Sequence, residues 1–258
     1  MRLRVLASGS KGNCLALRGG GQLFLVDMGL SCRELTKRMQ ACGISPDEVR
    51  GVFFTHDHED HRSGLETFHK HYPAVPLYAN GNTADAIAAK TGVEDGWCVF
   101  ETAETFAVGG LSVTAFSVPH DAADPVGYLF AEGASTFFLG TDMGVMTVGA
   151  KEALSRATCA VLESNHDPEL LERSERPVST KQRIRGRSGH LANYQAADAI
   201  RELNPPNLRT LLLGHISQQC NAPWLAREMM EKALVELGRS DITLATLGQD
   251  APSNLYEF

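Results

Sequence analysis

The sequence is short of several things. No apolar run approaches the ~18 residues that a membrane-crossing helix needs. No Cys-x-x-Cys pair occurs among the six cysteines, at 14, 32, 42, 98, 159 and 220, so neither a thioredoxin-like redox site nor a Cys-built zinc site is spelled out. There is no excess of positive charge. Lys plus Arg number 24 against 31 Asp plus Glu, a net charge of −7, so any hold on a polyanion must come from a local basic patch. Low-complexity stretches and Pro/Gly/Ser-rich linkers are missing, so the 258 residues read as one domain, 1–258. The opening residues, Met1-Arg2-Leu3-Arg4-Val5-Leu6-Ala7-Ser8-Gly9, turn small and polar too soon for a secretory signal. The expectation is a cytoplasmic protein with reduced thiols and no membrane contact. The sequence sets no oligomeric state.

What is present alternates short apolar strands with helices. In the first half, Leu3–Leu6, Cys14–Leu17, Leu23–Val26, Val52–Thr55 and Pro76–Ala79 read as strands. A helix begins after Ser31 and stops before Gly43, with Glu34 placed for a capping box. Further helices are expected over 64–71 and 83–90, and antiparallel sheet at Phe106–Pro119, Gly127–Phe130 and Ser135–Gly140. The second half reads as helix 150–156, strand Ala160–Glu163, a charged loop, helix 193–203, strand Thr210–Leu213, helix 222–237 and strand Ile242–Thr246. The fold class is α/β. Two echoes run through it: Val26-Asp27-Met28-Gly29 against Thr141-Asp142-Met143-Gly144, and Phe54-Thr55-His56 against Leu213-Gly214-His215.

The densest chemistry is Thr55-His56-Asp57-His58-Glu59-Asp60-His61, directly after a strand. Imidazoles and carboxylates packed this closely are metal ligands in waiting. His56 and His58 can face one ion, while Asp60 and His61 can reach a second. Two ions need more donors than one loop supplies. His120, Asp142 and His215 each end an apolar strand; any one alone would ordinarily be structural, but together they meet the unfilled demand. All the donors are N or O, which suits Zn, Mn or Fe. Between Pro177 and His190 stand Lys181, Arg183, Arg185 and Arg187 with no acid, a strip suited to phosphate. Ser8, Ser10 and Asn13 lie in a Gly-rich turn whose donors could also take a phosphate. His69-Lys70-His71 repeats the spacing without a neighbouring acid in sequence, and reads as surface.

The pattern His-x-His-x-Asp-His followed by a His, an Asp and a His at strand ends resembles the metallo-β-lactamase-fold hydrolase superfamily. The resemblance implies a four-layer αββα sandwich with two divalent ions. His56, His58 and His120 would then hold one metal, and Asp60, His61 and His215 the other. Asp142 would bridge them, and Asp27 would orient the ligand loop. Exported lactamases carry Cys at the position of Asp142 and lack the final His of the first motif, so antibiotic hydrolysis is not expected. Ser8-Gly9-Ser10-Lys11-Gly12-Asn13, Glu163-Ser164-Asn165-His166-Asp167 and Gly189-His190-Leu191-Ala192-Asn193 resemble the YycJ/WalJ-like single-domain branch. That branch implies a 5′–3′ DNA exonuclease, with DNA as substrate.

On this reading Asp60 orients the attacking water, and His190 grips the phosphate or protonates the leaving oxygen. His166 is held in reserve for the second role. Arg183, Arg185 and Asn193 join Ser8, Ser10, Asn13 and His190 as substrate contacts. The alternatives are hydrolysis of a small ester (cyclic phosphodiester, lactone or thioester) on the same site, and a binding module that has lost catalysis.

Overall fold

A computed structural model describes residues 1–258. The chain packs into two compact units. The first comprises Met1–Ala115, Ala122–Val126 and Gly248–Glu257, and the second Phe116–Asp121, Gly127–Leu247 and Phe258.

The sheet of the first unit has the order β14-β1-β2-β3-β4-β5-β6. Its strands are β1 (Arg2–Ala7), β2 (Cys14–Gly19), β3 (Gln22–Val26), β4 (Val49–Phe53), β5 (Leu77–Asn80), β6 (Trp97–Phe100) and β14 (Leu255–Glu257). β1, β2 and β3 pair antiparallel, and β3 to β6 are parallel. Parallel strands need crossovers, supplied here by α1 (Cys32–Ala41), the short α2 (Glu59–Arg62) and α3 (Leu65–His71), and α4 (Gly81–Thr91). Ser31 caps α1 by accepting from the Glu34 amide at 3.3 Å. Glu34 itself turns to Arg38 at 2.8 Å, so only half of the expected capping box forms. Leu25, Met28, Leu35, Met39, Phe54, Leu65, Phe68 and Ile87 fill the core between helices and sheet. A hairpin of β7 (Thr105–Val108) and β8 (Leu111–Ser117) turns at Gly109-Gly110, dividing the single stretch that the sequence suggested.

In the second unit β13 (Thr243–Thr246), β12 (Thr210–Gly214), β11 (Cys159–Glu163), β10 (Ser135–Gly140) and β9 (Val126–Glu132) are successive neighbours. β10 to β13 are parallel and β9 is antiparallel to β10. Helices α5 (Val148–Ser155), α8 (Asn193–Leu203) and α9 (Pro223–Glu236) cover the sheet, burying Leu154, Ala196, Ile200, Met230 and Ala233 against Phe138, Leu162, Leu211 and Leu213. Both sheets are therefore mixed and flanked by helices, as the α/β expectation requires.

The charged loop expected after β11 is a correction. It contains α6 (Pro168–Arg173) and α7 (Val178–Arg185). Asp167 caps α6 by accepting from the amides of Glu169 and Leu170, with Pro168 preset in the first turn. No helix of the chain is long and apolar enough to cross a membrane. All six cysteines are free thiols.

Candidate metal centre

Polar side chains gather where parallel strands end, the edge at which sheets of this kind place their ligands. In the first unit β3 delivers Asp27 and β4 delivers Thr55 and His56. One Asp27 oxygen accepts from the Thr55 amide at 2.8 Å, and the other accepts from the Thr55 hydroxyl at 2.9 Å and from His61 Nδ1 at 2.8 Å. Because Thr55 gives its single proton to Asp27, its oxygen must accept from His56 Nδ1, 3.0 Å away. The network thus fixes Nδ1–H on both His56 and His61 and leaves each Nε2 with the lone pair that a metal requires.

The His56 ring lies 4.7 Å from that of His58 and 4.0 Å from that of His61, centroid to centroid. Three imidazoles this close, two of them buried, repel if protonated and suit a shared cation if neutral. Asp57, inside the motif, takes no part in this cluster. Its carboxylate pairs with Lys90 and accepts from the Ala123 amide at 3.0 Å, anchoring the loop from behind. Burial raises its pKa, but Lys90 and the amide outweigh that and hold it below the ordinary carboxylate range. Gly29 completes the Asp-Met-Gly turn for a steric reason: a Cβ there would sit 1.6 Å from the Asp60 carbonyl oxygen.

The second unit repeats the device. β10 delivers Asp142, β11 delivers Glu163 and β12 delivers His215. Ligand-type atoms of Asp142, Glu163, His190 and His215 all lie within 4.8 Å of one another. Glu163 is the residue whose role the sequence reading missed. Completely buried, it takes four donors: the amides of Met143 (2.9 Å) and Leu191 (3.1 Å) on one oxygen, and Nδ1 of His190 (2.9 Å) and His215 (2.8 Å) on the other. Burial pushes this carboxyl up, yet the His190 charge and the two imidazole bonds prevail and hold it at about 2. His190 and His215 are thereby both protonated at Nδ1. His120 reaches the same state by donating Nδ1–H to the Gly189 carbonyl at 3.2 Å. Burial depresses the His120 pKa, which keeps its ring neutral.

Backbone strain marks the same positions. Five non-glycine residues have positive φ, and three of them are Asp27 (58°), Asp142 (56°) and His215 (52°). Such conformations cost roughly 1–3 kcal/mol each and persist where the surroundings enforce them. The Asp27 and Asp142 echo is therefore conformational as well as sequential. Its second glycine, Gly144, is also obligatory, since a Cβ would meet the Arg187 carbonyl oxygen at 2.3 Å.

The expected substrate contacts divide. Ser10, Arg183 and Arg185 are exposed, and His190 is half-buried. Ser8, Asn13 and Asn193 are buried. Asn13 bonds Gly9 and faces His61 Nε2 at 3.0 Å, and Asn193 bonds Ser164 and Asn221. Lys181, Arg183 and Arg185 lie on α7 and Arg187 just beyond it, and the run is not acid-free in space: Arg183 pairs with Asp121, and Arg185 with Glu172 at 2.5 Å. His166, 2% exposed, is sealed from solvent, and burial brings its pKa down to about 4. His69 corrects the surface reading. It is buried, with Nε2 2.8 Å from Asp95, an acid 26 positions away.

The donor chemistry fits divalent ions: imidazoles with Nδ1–H tied back, beside buried carboxylates whose charge a cation would balance. A family model described as "Beta-lactamase superfamily domain" matches residues 23–216. The chain belongs to this superfamily. Among its β-lactamase-superfamily relatives, exodeoxyribonuclease YycJ of Bacillus anthracis is 33% identical over 240 residues, 92% of this chain and 90% of that protein. Exodeoxyribonuclease WalJ of Streptococcus pneumoniae is 31% identical over 236 residues, 90% of this chain and 87% of that one. Among solved structures, the metallo-β-lactamase fold protein YhfI of Bacillus subtilis covers both chains fully at TM-score 0.72 and 15% identity, a likeness of fold. Family and donor sets together make this superfamily member a metal-dependent hydrolase of the YycJ/WalJ-like kind.

Proposed function

We propose that the chain is a DNA exonuclease that works from the 5′ end and carries two divalent ions, Zn or Mn, with Fe also suited to the ligands. The observation that carries this reading is the likeness to two exodeoxyribonucleases over about nine tenths of both chains. The ligand assignment follows the family pattern: His56, His58 and His120 for one ion, Asp60, His61 and His215 for the other, and Asp142 for both. On this assignment residues 1–258 act as one hydrolase domain. When bound, such ions polarise a phosphoryl oxygen and make water nucleophilic at neutral pH.

The chain's own residues supply the remaining chemistry. Asp60 accepts a proton of the attacking water and so sets its direction. His190, its Nδ1–H held by Glu163, gives a proton from Nε2 to the leaving oxygen. Asp27 and Thr55 hold the ligand loop in position. Arg183, Arg185 and Ser10 engage the phosphate backbone, and the two arginines exchange Asp121 and Glu172 for phosphate oxygens. The small-ester alternative is not favoured, because both of these relatives carry the exodeoxyribonuclease name.

The test is release of nucleotides from 5′-labelled single-stranded and duplex DNA with Zn and Mn supplied separately. Cleavage that requires metal and disappears in His58→Ala supports the reading. A metal-loaded protein that leaves DNA intact while hydrolysing a small ester refutes it.

A further inference from the structure

Of two Trp, five Tyr and eleven Phe, only Tyr194 and Trp224 are exposed, at 47% and 64%. Aromatic rings left in water tend to mark a contact surface. Both stand in first turns, Tyr194 on α8 and Trp224 on α9. The two helices pack side by side. α8 leads into β12 and α9 follows it, between parallel strands, so both first turns lie at the strand-end edge that carries Glu163 and His215. The junction is fixed by a reciprocal amide pair, Asn193 to Asn221 at 2.9 Å and Asn221 to Asn193 at 2.8 Å, with Ser164 closing it at 2.7 Å. Tyr194 is four residues beyond His190, and the segment before His190 is basic α7, joined to it by the His190 amide on the Ile184 carbonyl at 2.9 Å.

We propose that Tyr194 and Trp224 form a stacking platform for unpaired bases of the DNA strand held at this site; the proposal rests on the nuclease reading above. Continuity decides the occupant. Phosphate-binding cations on α7, the proton donor His190 and two exposed rings lie on successive segments of one edge. A single strand offers phosphates and π-faces together in that combination. A base stacked on an aromatic side chain tolerates any sequence, as an exonuclease requires. The buried Asn193–Asn221 pair holds the two helix starts in fixed relation, so the platform is preformed.

The experiment measures binding of a short single-stranded phosphorothioate oligonucleotide to the metal-loaded protein, with intact and with abasic ends. Tyr194→Ala and Trp224→Ala should each weaken binding of the intact strand roughly tenfold. The abasic strand should bind the wild type that much more weakly, and the alanine variants should no longer distinguish the two strands. Trp224→Phe should restore the discrimination, which a merely structural role would not require. Equal binding of intact and abasic strands by the wild type, or wild-type discrimination in both alanine variants, overturns the platform while leaving nuclease activity to stand. Failure of the wild type to bind or cleave any strand overturns the nuclease reading and the platform with it. A dimer dissolved by Trp224→Ala without change in DNA binding assigns the rings to a protein contact and overturns the proposal.

Discussion

Glu163→Gln is nearly isosteric, yet the hydrogen-bond arithmetic around it makes it severe. Glu163 accepts two backbone amides on one oxygen and two imidazole Nδ1 protons on the other. Backbone amides cannot invert, so the glutamine oxygen must stay with Met143 and Leu191, and its NH2 group must face His190 and His215. Two donors would then point at two donors unless both rings move their proton to Nε2. That tautomer leaves His215 without a lone pair for a metal and deprives His190 of the carboxylate that orients its ring. Removing a carboxylate behind a ligating histidine typically costs about 10–100-fold in metal affinity, and losing a general acid about 10²–10⁴-fold in rate. The expected result is a folded variant whose metal affinity falls about 10–100-fold against a competing chelator, with a larger loss in kcat. Glu163→Asp, which keeps the charge, should recover part of both. A Glu163→Gln protein that binds two metals with wild-type affinity and keeps the wild-type kcat would refute the tautomer argument.

The same architecture sets three further outcomes. His166 has its pKa brought down to about 4 by burial against about 6.5 in the unfolded chain, so its contribution is complete above pH 6.5 and lost as pH falls toward 4. The difference is on the order of 3 kcal/mol, or roughly 5–10 °C in Tm at this length, and His166→Gln should flatten that fall in metal-free melts at about pH 7 and about pH 4.5. Neutralising Arg183 and Arg185 together should weaken DNA binding uniformly across sequences. It should also lower the slope of log affinity against log salt by about 0.7 for each phosphate of a single strand that is no longer neutralised; an unchanged slope removes α7 from the interface. Gly29→Ala drives a Cβ into the Asp60 carbonyl oxygen, so metal content and Tm should both fall, whereas Gly248→Ala, with open space around it, should leave both at wild-type values.

The candidate ligand positions, and Asp27 behind them, were legible because each is a polar residue that stops an apolar run. Asp27, His56, Asp142 and His215 all stand where a buried strand of the parallel sheet ends, and a strand shows in the sequence as a short block of Val, Leu, Ile and Phe. Glu163 ends such a block too, but its meaning depends on His190 and His215, 27 and 52 positions further on, and no local pattern pairs them. The partners of Arg183 and His69 were hidden by the same separation. Helix α7 escaped because only Ile184 is buried along it, so no apolar period stands out from its charges. The strands β6 and β14 escaped because both are short edge strands with largely exposed side chains.

The left-handed backbone at Asp27, Asp142 and His215 has a consequence for how such a protein ages in evolution. Each of these residues strains its own chain, and glycine adopts this geometry freely. Yet glycine at 27 would leave the Thr55 amide and His61 Nδ1 buried without their acceptor, and glycine at 215 would remove a donor from Glu163. Strain and polar satisfaction therefore oppose each other, so a copy released from its task cannot shed these residues one at a time: the strained residue and its buried partners have to be lost as a set.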